Sequence, residues 1–270
     1  MNEIVNYKDY RDFLNSGAVQ AKFKELLGER AKPFLTSVLQ CVSSSSYLQK
    51  VDVNSIYTAA MMAAMVDLPI ISSLGYAYIV PYKGKAQFQI GYKGFIQLAL
   101  RTGLFVRINA TNVVEGELLE HNRLTGEIKF SWITNEEERK KKKVIGYVSY
   151  FKLTNGYESI LFKTVKEVEA HAKKYSESYK KNDGQWVENF DGMALKTVTK
   201  LNLSKNAPLS IDLQNAIRFD QAAGSDLETI SYVDNPDTAK DEKLAIAADK
   251  LNELFNDKND ENHETAQSNK

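Results

Sequence analysis

The chain has 270 residues, 35 basic and 35 acidic side chains, and 43% hydrophobic residues. This is the composition of an ordinary globular protein with core enough for one large domain or two small ones. A single cysteine, Cys41, excludes an internal disulfide framework and fits a reducing cytoplasm. No apolar run is long enough to span a membrane, and the first residues, "MNEIVNYKDYRDFL", lack the basic-then-apolar order of a secretory signal.

In chain order, "AVQAKFKELLGERAKPFLTSVLQCV" spaces its apolar residues by three and four, which predicts helices broken near Gly28 and Pro33. Cys41 falls among those apolar residues, so packing is its expected role. "DVNSIYTAAMMAAMVDL" is apolar on most faces and predicts a buried helix with methionines as core filler. "GYAYIVPY", the turn "KGK" and the alternating "AQFQIGY" predict a β-hairpin, with Gln87 and Gln89 on one face and Phe88 and Ile90 on the other. "GYKGFIQLALRTG" then changes period. Tyr92, Phe95, Ile96 and Ala99 share one helical face, Lys93, Gln97 and Arg101 lie opposite, and Gly103 ends the helix.

Strands follow at "LFVRINATNVV", "GEIKFSWI" and "VIGYVSYFKL", the last closing through "TNG" onto "YESILFK". "EEERKKKK" reads as a solvated loop. Thr164 and Glu167 stand at capping-box spacing ahead of a helix. Residues 176–188 read as a mobile loop, "NFDGMALKTVTKLNL" as a helix and "SIDLQNAIRFDQAA" as a last short one. Beyond Gly224 the chain turns acidic. A domain of residues 1–225 is expected, then a mostly disordered tail, 226–270, with one amphipathic segment from about Ala239 to Phe255.

The balanced charge hides an asymmetry. Residues 226–270 carry twelve acids and five bases, a net of −7, which leaves +7 on residues 1–225. Residues 68–114 hold no acid at all, yet contain Lys83, Lys85, Lys93, Arg101 and Arg107. A basic body with an acidic tail suggests a polyanionic partner. The acid-free stretch is also rich in aromatic residues, as single-strand nucleic-acid binders are.

Catalytic signals are missing. There is no phosphate-binding G-x-x-x-x-G-K-[ST] loop and no G-x-G-x-x-G. His121, His171 and His263 stand in unrelated contexts, so no metal site is expected. "SSSS" at 43–46 reads as a loop after a helix. No catalytic residue and no cofactor emerge.

Residues 75–103, "GYAYIVPYKGKAQFQIGYKGFIQLALRTG", closely resemble the signature of the RecT family of phage and prophage single-strand annealing recombinases. "AAMMAAMVDLPI" looks like the helix leading into it. "WVENFDGMALKTVTKLNLSK" is similar to a second block of that family, and the resemblance runs from about residue 20 to about residue 220. It implies an α+β fold, an antiparallel sheet and β-hairpin flanked by helices, distantly like the Rad52 annealing core. It implies ATP-independent binding of single-stranded DNA, annealing to duplex, and homo-oligomers in rings or helical filaments. A partner exonuclease and a host single-strand binding protein are the implied partners, with no membrane.

Pairing must test complementarity, so such a protein should hold the backbone and leave base edges free. The DNA contacts expected are Lys83, Tyr92, Lys93, Gln97, Arg101 and Arg107 in and beside the first block, and Lys196, Lys200 and Lys205 from the second. Tyr82 is a further candidate for stacking. A non-catalytic RNA- or DNA-binding module without annealing activity is the alternative function.

Overall fold

The structure, a computed structural model, describes residues 7–220. They belong to one unit, Met1–Ser231. The expected domain boundary at 225/226, the acidic tail and its amphipathic segment lie outside the described residues.

The helical half comes first: α1 (Tyr7–Leu14), α2 (Gly17–Leu27), α3 (Ala31–Ser43) and α4 (Val53–Met65). Gly28 breaks α2 from α3 with φ +58 and a single 3₁₀ turn. Pro33 sits in the first turn of α3, where a missing N–H breaks no intrahelical bond. Asp52 starts α4 by accepting the Ser55 N–H at 3.0 Å. Ala59 to Ala64 of α4 are all buried, including Met61 and Met62, so the methionines are core. Phe23 packs against Phe34 and Tyr57, with ring centroids 5.7 and 6.0 Å away.

The hairpin pairs β1 (Ala77–Tyr82) with β2 (Lys85–Ile90), from Tyr82 opposite Lys85 to Ala77 opposite Ile90. It lies on the start of α4. The Asp52 N–H donates to Gly84 O at 3.3 Å and the Ala86 N–H to Ser55 Oγ at 2.8 Å. Phe88 and Ile90 are buried as the alternation requires. Gln87 is buried too, and accepts from the Gln89 side chain at 2.9 Å, so the glutamine face is partly covered. Helix α5 (Tyr92–Arg101) buries Gly94, Phe95, Leu98 and Ala99, and Gly103 ends it at φ +70.

Strand β3 (Phe105–Val114) leads into a small hairpin, β4 (Leu118–His121) with β5 (Ile128–Phe130), and a four-residue helix, α6 (Glu136–Arg139). Two corrections arise here. "LLEH" carries no strand period because only one of its residues is even half-buried. "EEER" is helical because the Asn135 side chain accepts the N–H groups of Glu137 and Glu138. Arg139 is not simply solvated: its Nε donates to the fully buried Glu117 at 2.7 Å, and its Nη2 to Asn112 O and Oδ1 at 2.8 Å. Burial pushes the Glu117 carboxyl up, but hydrogen bonds from Arg139, Val114 and Ile133 outweigh it and hold it below the ordinary value.

Strands β6 (Val144–Leu153) and β7 (Glu158–Thr164) complete an antiparallel sheet of order β3-β6-β7. Thr164 and Glu167 form a reciprocal capping box at the start of α7 (Val165–Tyr175). The expected loop at 176–188 holds two single-turn helices, α8 (Glu177–Lys180) and α9 (Gln185–Glu188), pinned by buried Trp186. Helix α10 (Phe190–Asn206) crosses the inner face of the sheet. Its Ala194 and Val198 pack with Tyr147, and Asn202 donates to Ser149 O at 3.2 Å and accepts from Ser159 Oγ at 2.8 Å. Helix α11 (Ile211–Phe219) ends at Asp220. The result is α+β, with antiparallel sheets flanked by helices.

Candidate nucleic-acid interface

The first motif is built around two close backbone approaches. A Cβ on Gly91 would overlap Gly75 O, and one on Gly94 would overlap Tyr76 O. The Gly91 N–H donates to Tyr76 O at 2.9 Å. Both glycines of "GYKG" are therefore demanded by the seat of α5 against residues 75–76. Tyr92 and Lys93, between them, are left outside. Tyr92 is half-buried; Lys93 is exposed, its stem passing close to Gly75. No side chain caps this first turn and it holds no acid. The helix therefore presents a positive end beside an ammonium group.

Along α5, Gln97 is half-buried and Arg101 exposed on the same side as Lys93. Arg101 is partly engaged: it donates to Val66 O at 3.3 Å and lies 4.0 Å from Asp67, which also holds Arg30 at 2.6 Å.

Lys83 stands elsewhere. The six-residue strands place the hairpin tip roughly 20 Å from the start of α5. Lys83 and Gly84 have φ of +48 and +77, the two successive left-handed residues of a type I′ turn. Asn or Gly suits the first position; lysine there is strained by about 1–2 kcal/mol. Its Nζ lies 5.2 Å from the Tyr82 ring centroid and makes no ion pair among the described residues. A cation kept at a strained tip points to use. Lys83→Asn should therefore raise thermal stability while lowering affinity for single-stranded DNA, in parallel melts and titrations. Lower stability would show that the lysine itself holds the turn.

Lys196 and Lys200 are turned inward rather than displayed. Lys196 is 4% exposed, and its Nζ sits 2.8 Å from Asp220 Oδ1 without a well-directed hydrogen bond. Lys200 Nζ donates to Asp220 Oδ2 at 2.9 Å, and the Ile90 N–H donates to Oδ1 at 2.9 Å. Asp220 is fully buried. Burial pushes its carboxyl up; the charges of Lys196 and Lys200 outweigh that and hold it below the ordinary range. The i, i+4 spacing does place both lysines on one face of α10, but that face meets the end of α11. Spacing cannot show this, because the partner lies twenty residues downstream.

His171 is pushed down to about 4 by burial and then by Lys200, Lys174 and Lys163. It packs as a neutral ring on Tyr175, centroids 4.7 Å apart. Burial pushes the Cys41 thiol up, and its Sγ lies 4.0 Å from Ile79 O, a packing position. Among the described residues no group of three or more His, Cys, Asp or Glu could hold a metal ion.

Lys205 borders a groove of about 550 Å³ along β7, with His121, Arg123 and Lys163. Arg107 opens into a separate cavity of about 560 Å³ on the outer face of the sheet. The nine expected residues thus fall in five places: the α5 face, the hairpin tip, the buried Asp220 cluster and each of the two grooves of the sheet.

A family model described as the RecT family matches residues 32–235. The chain belongs to the RecT family. The match begins in α3 and takes in the hairpin, α5, both sheet grooves, α10 and α11; α1 and α2 precede it. The chain is 48% identical over 207 residues to uncharacterized protein YqaK of Bacillus subtilis (strain 168), covering 77% of this chain and 70% of that one. It is 27% identical over 237 residues to protein RecT of Escherichia coli (strain K12), covering 80% and 82%. RecT family membership carries a role in recombination or annealing. No helix among the described residues is long and apolar enough to cross a membrane.

Proposed function

We propose that the chain binds single-stranded DNA in the cytoplasm and anneals complementary strands without a nucleotide cofactor and without covalent chemistry. The observation that carries this is the acid-free segment 68–114 inside the RecT match. It exposes Lys93 on α5, Lys83 at a strained turn and Arg107 on the sheet, none with an ion pair among the described residues. These cations neutralise phosphates, and counterion release drives binding. Tyr92, Gln97 and Arg101 complete the α5 face, and Lys205 extends the path from the last turn of α10. Lys196 and Lys200 serve at one remove, by fixing Asp220 and through it Ile90, directly ahead of α5.

Annealing follows from holding two strands by their backbones while base edges stay free to test each other. Assembly of the chain into rings or filaments, a partner exonuclease and a host single-strand binding protein belong to the same proposal.

The test mixes two dye-labelled complementary strands with the full chain, with and without ATP. Annealing should accelerate several-fold, independent of ATP. Log affinity for one strand should fall with log salt at a slope of about −0.7 per phosphate neutralised. Equal annealing rates with and without protein at low salt would leave only a binding module.

A further inference from the structure

The cavity that holds Arg107 has the chemistry of a base-stacking site. Strands β3 and β6 send alternate residues to opposite faces of the sheet. Arg107, Asn109 and Thr111 of β3 stand opposite Lys152, Tyr150 and Val148 of β6, on the face turned away from α10. The β4–β5 hairpin covers one end of that face, packing Leu118, Ile128 and Phe130 over Val113, Val148 and Phe162. It stops short of the other end and leaves the cavity, whose volume of about 560 Å³ is that of a small-molecule site.

Trp132 stands at its mouth, 48% exposed, its ring stacked on Phe130 at 4.7 Å and 21°. The half-buried Phe130 fixes the indole plane before any ligand arrives, which lowers the ordering cost of binding. Arg107 has no ion pair among the described residues, whereas Arg139, also in the lining, is consumed by Glu117. Glu136 is the exposed acid of the rim, so an incoming phosphate is favoured at the Arg107 end.

We propose that Trp132 is a stacking platform for one base of a single-stranded nucleic acid, with Arg107 holding the adjoining phosphate. Asn109 and Thr111 offer hydrogen bonds to the same nucleotide, and Tyr150 faces it from β6. Stacking is indifferent to base identity because every base has a π-face, so the site suits a protein that must not select sequence. This rests on the single-strand reading above, and adds a contact that neither of its two motifs contains.

The chain has two tryptophans, and Trp186 is 6% exposed in the core. Solvent-sensitive tryptophan emission therefore reports Trp132. The full chain is titrated with unlabelled oligothymidylate for emission, and with a dye-labelled oligothymidylate for anisotropy. Quenching of the exposed tryptophan should follow the anisotropy isotherm and vanish in Trp132→Phe. Trp132→Ala should weaken binding about tenfold, while Trp132→Phe keeps most of the affinity. Arg107→Ala should weaken binding and flatten the salt slope by about 0.7; Glu136→Gln should tighten it. Oligonucleotide binding with unchanged Trp132 emission and full affinity in Trp132→Ala would overturn the platform and leave the DNA-binding function standing. No binding at all would overturn both.

Discussion

Asp220→Asn should destabilise the fold by about 3–5 kcal/mol, the scale set by stranding buried charge. The carboxylate sits between two ammonium groups at 2.8 and 2.9 Å and accepts the Ile90 N–H. Asparagine keeps the shape and an acceptor but abandons Lys196 and Lys200 inside the protein. Adding Lys200→Met should then recover part of the loss, because it removes one of the two stranded charges; the pair is non-additive by construction. Urea unfolding of both variants checks this, and a loss under 1 kcal/mol for Asp220→Asn would place the cluster with exposed pairs.

Asp220 and, separately, His171 set an acid limit. The folded Asp220 carboxyl titrates below its ordinary value of about 3.9, so its stabilisation is present above that pH and lost as pH falls through the folded value. His171 prefers to be neutral when folded, with its value lowered to about 4. Stability therefore declines as pH falls from the unfolded value of about 6.5 toward 4. Melting temperatures should drift down across the first window and drop again below it. Asp220→Asn should shrink the lower step, leaving the part that Glu117 contributes, and leave the upper drift unchanged.

What the sequence made legible, and what it hid, divides along one physical line. Short-range periodicity gave α4, the hairpin, α5 and the capping box at Thr164, because each satisfies itself within a few residues. Segments whose order comes from distant partners stayed hidden. Strand β4 has an exposed, periodless sequence, α8 and α9 are single turns organised around Trp186, and Arg139 hides its role in a run of charge because Glu117 lies twenty-two positions away. The site shows the same split. Lys93 and Gln97 lie on the outer face of α5 as spacing implied. Lys196 and Lys200 also share a face, but which surface a face meets is a tertiary fact. Trp132 carried no motif, and only its exposure and its stack on Phe130 single it out.

Gly94→Ala should be strongly destabilising, against the ordinary expectation for a helix. Alanine is favoured over glycine inside a helix by about 1 kcal/mol. At Gly94 that gain is outweighed, because the new methyl would overlap Tyr76 O and come within 2.7 Å of Ile90 Cγ2. The carbonyl cannot swing away without breaking its bond from the Gly91 N–H. Helix α5 must instead lift from residues 75–76, with an overpacking cost of about 1–3 kcal/mol or more. Lifting α5 also moves Lys93 and uncovers Phe95, so single-strand affinity should fall in the same variant even where it remains folded. Gly17→Ala is the control: it lies in the first turn of α2 with nothing within 4 Å of the new methyl, and should be neutral or mildly stabilising. If thermal melts show Gly94→Ala behaving like Gly17→Ala, the close seat of α5 on residues 75–76 is wrong. The glycine spacing of the first motif would then need another cause.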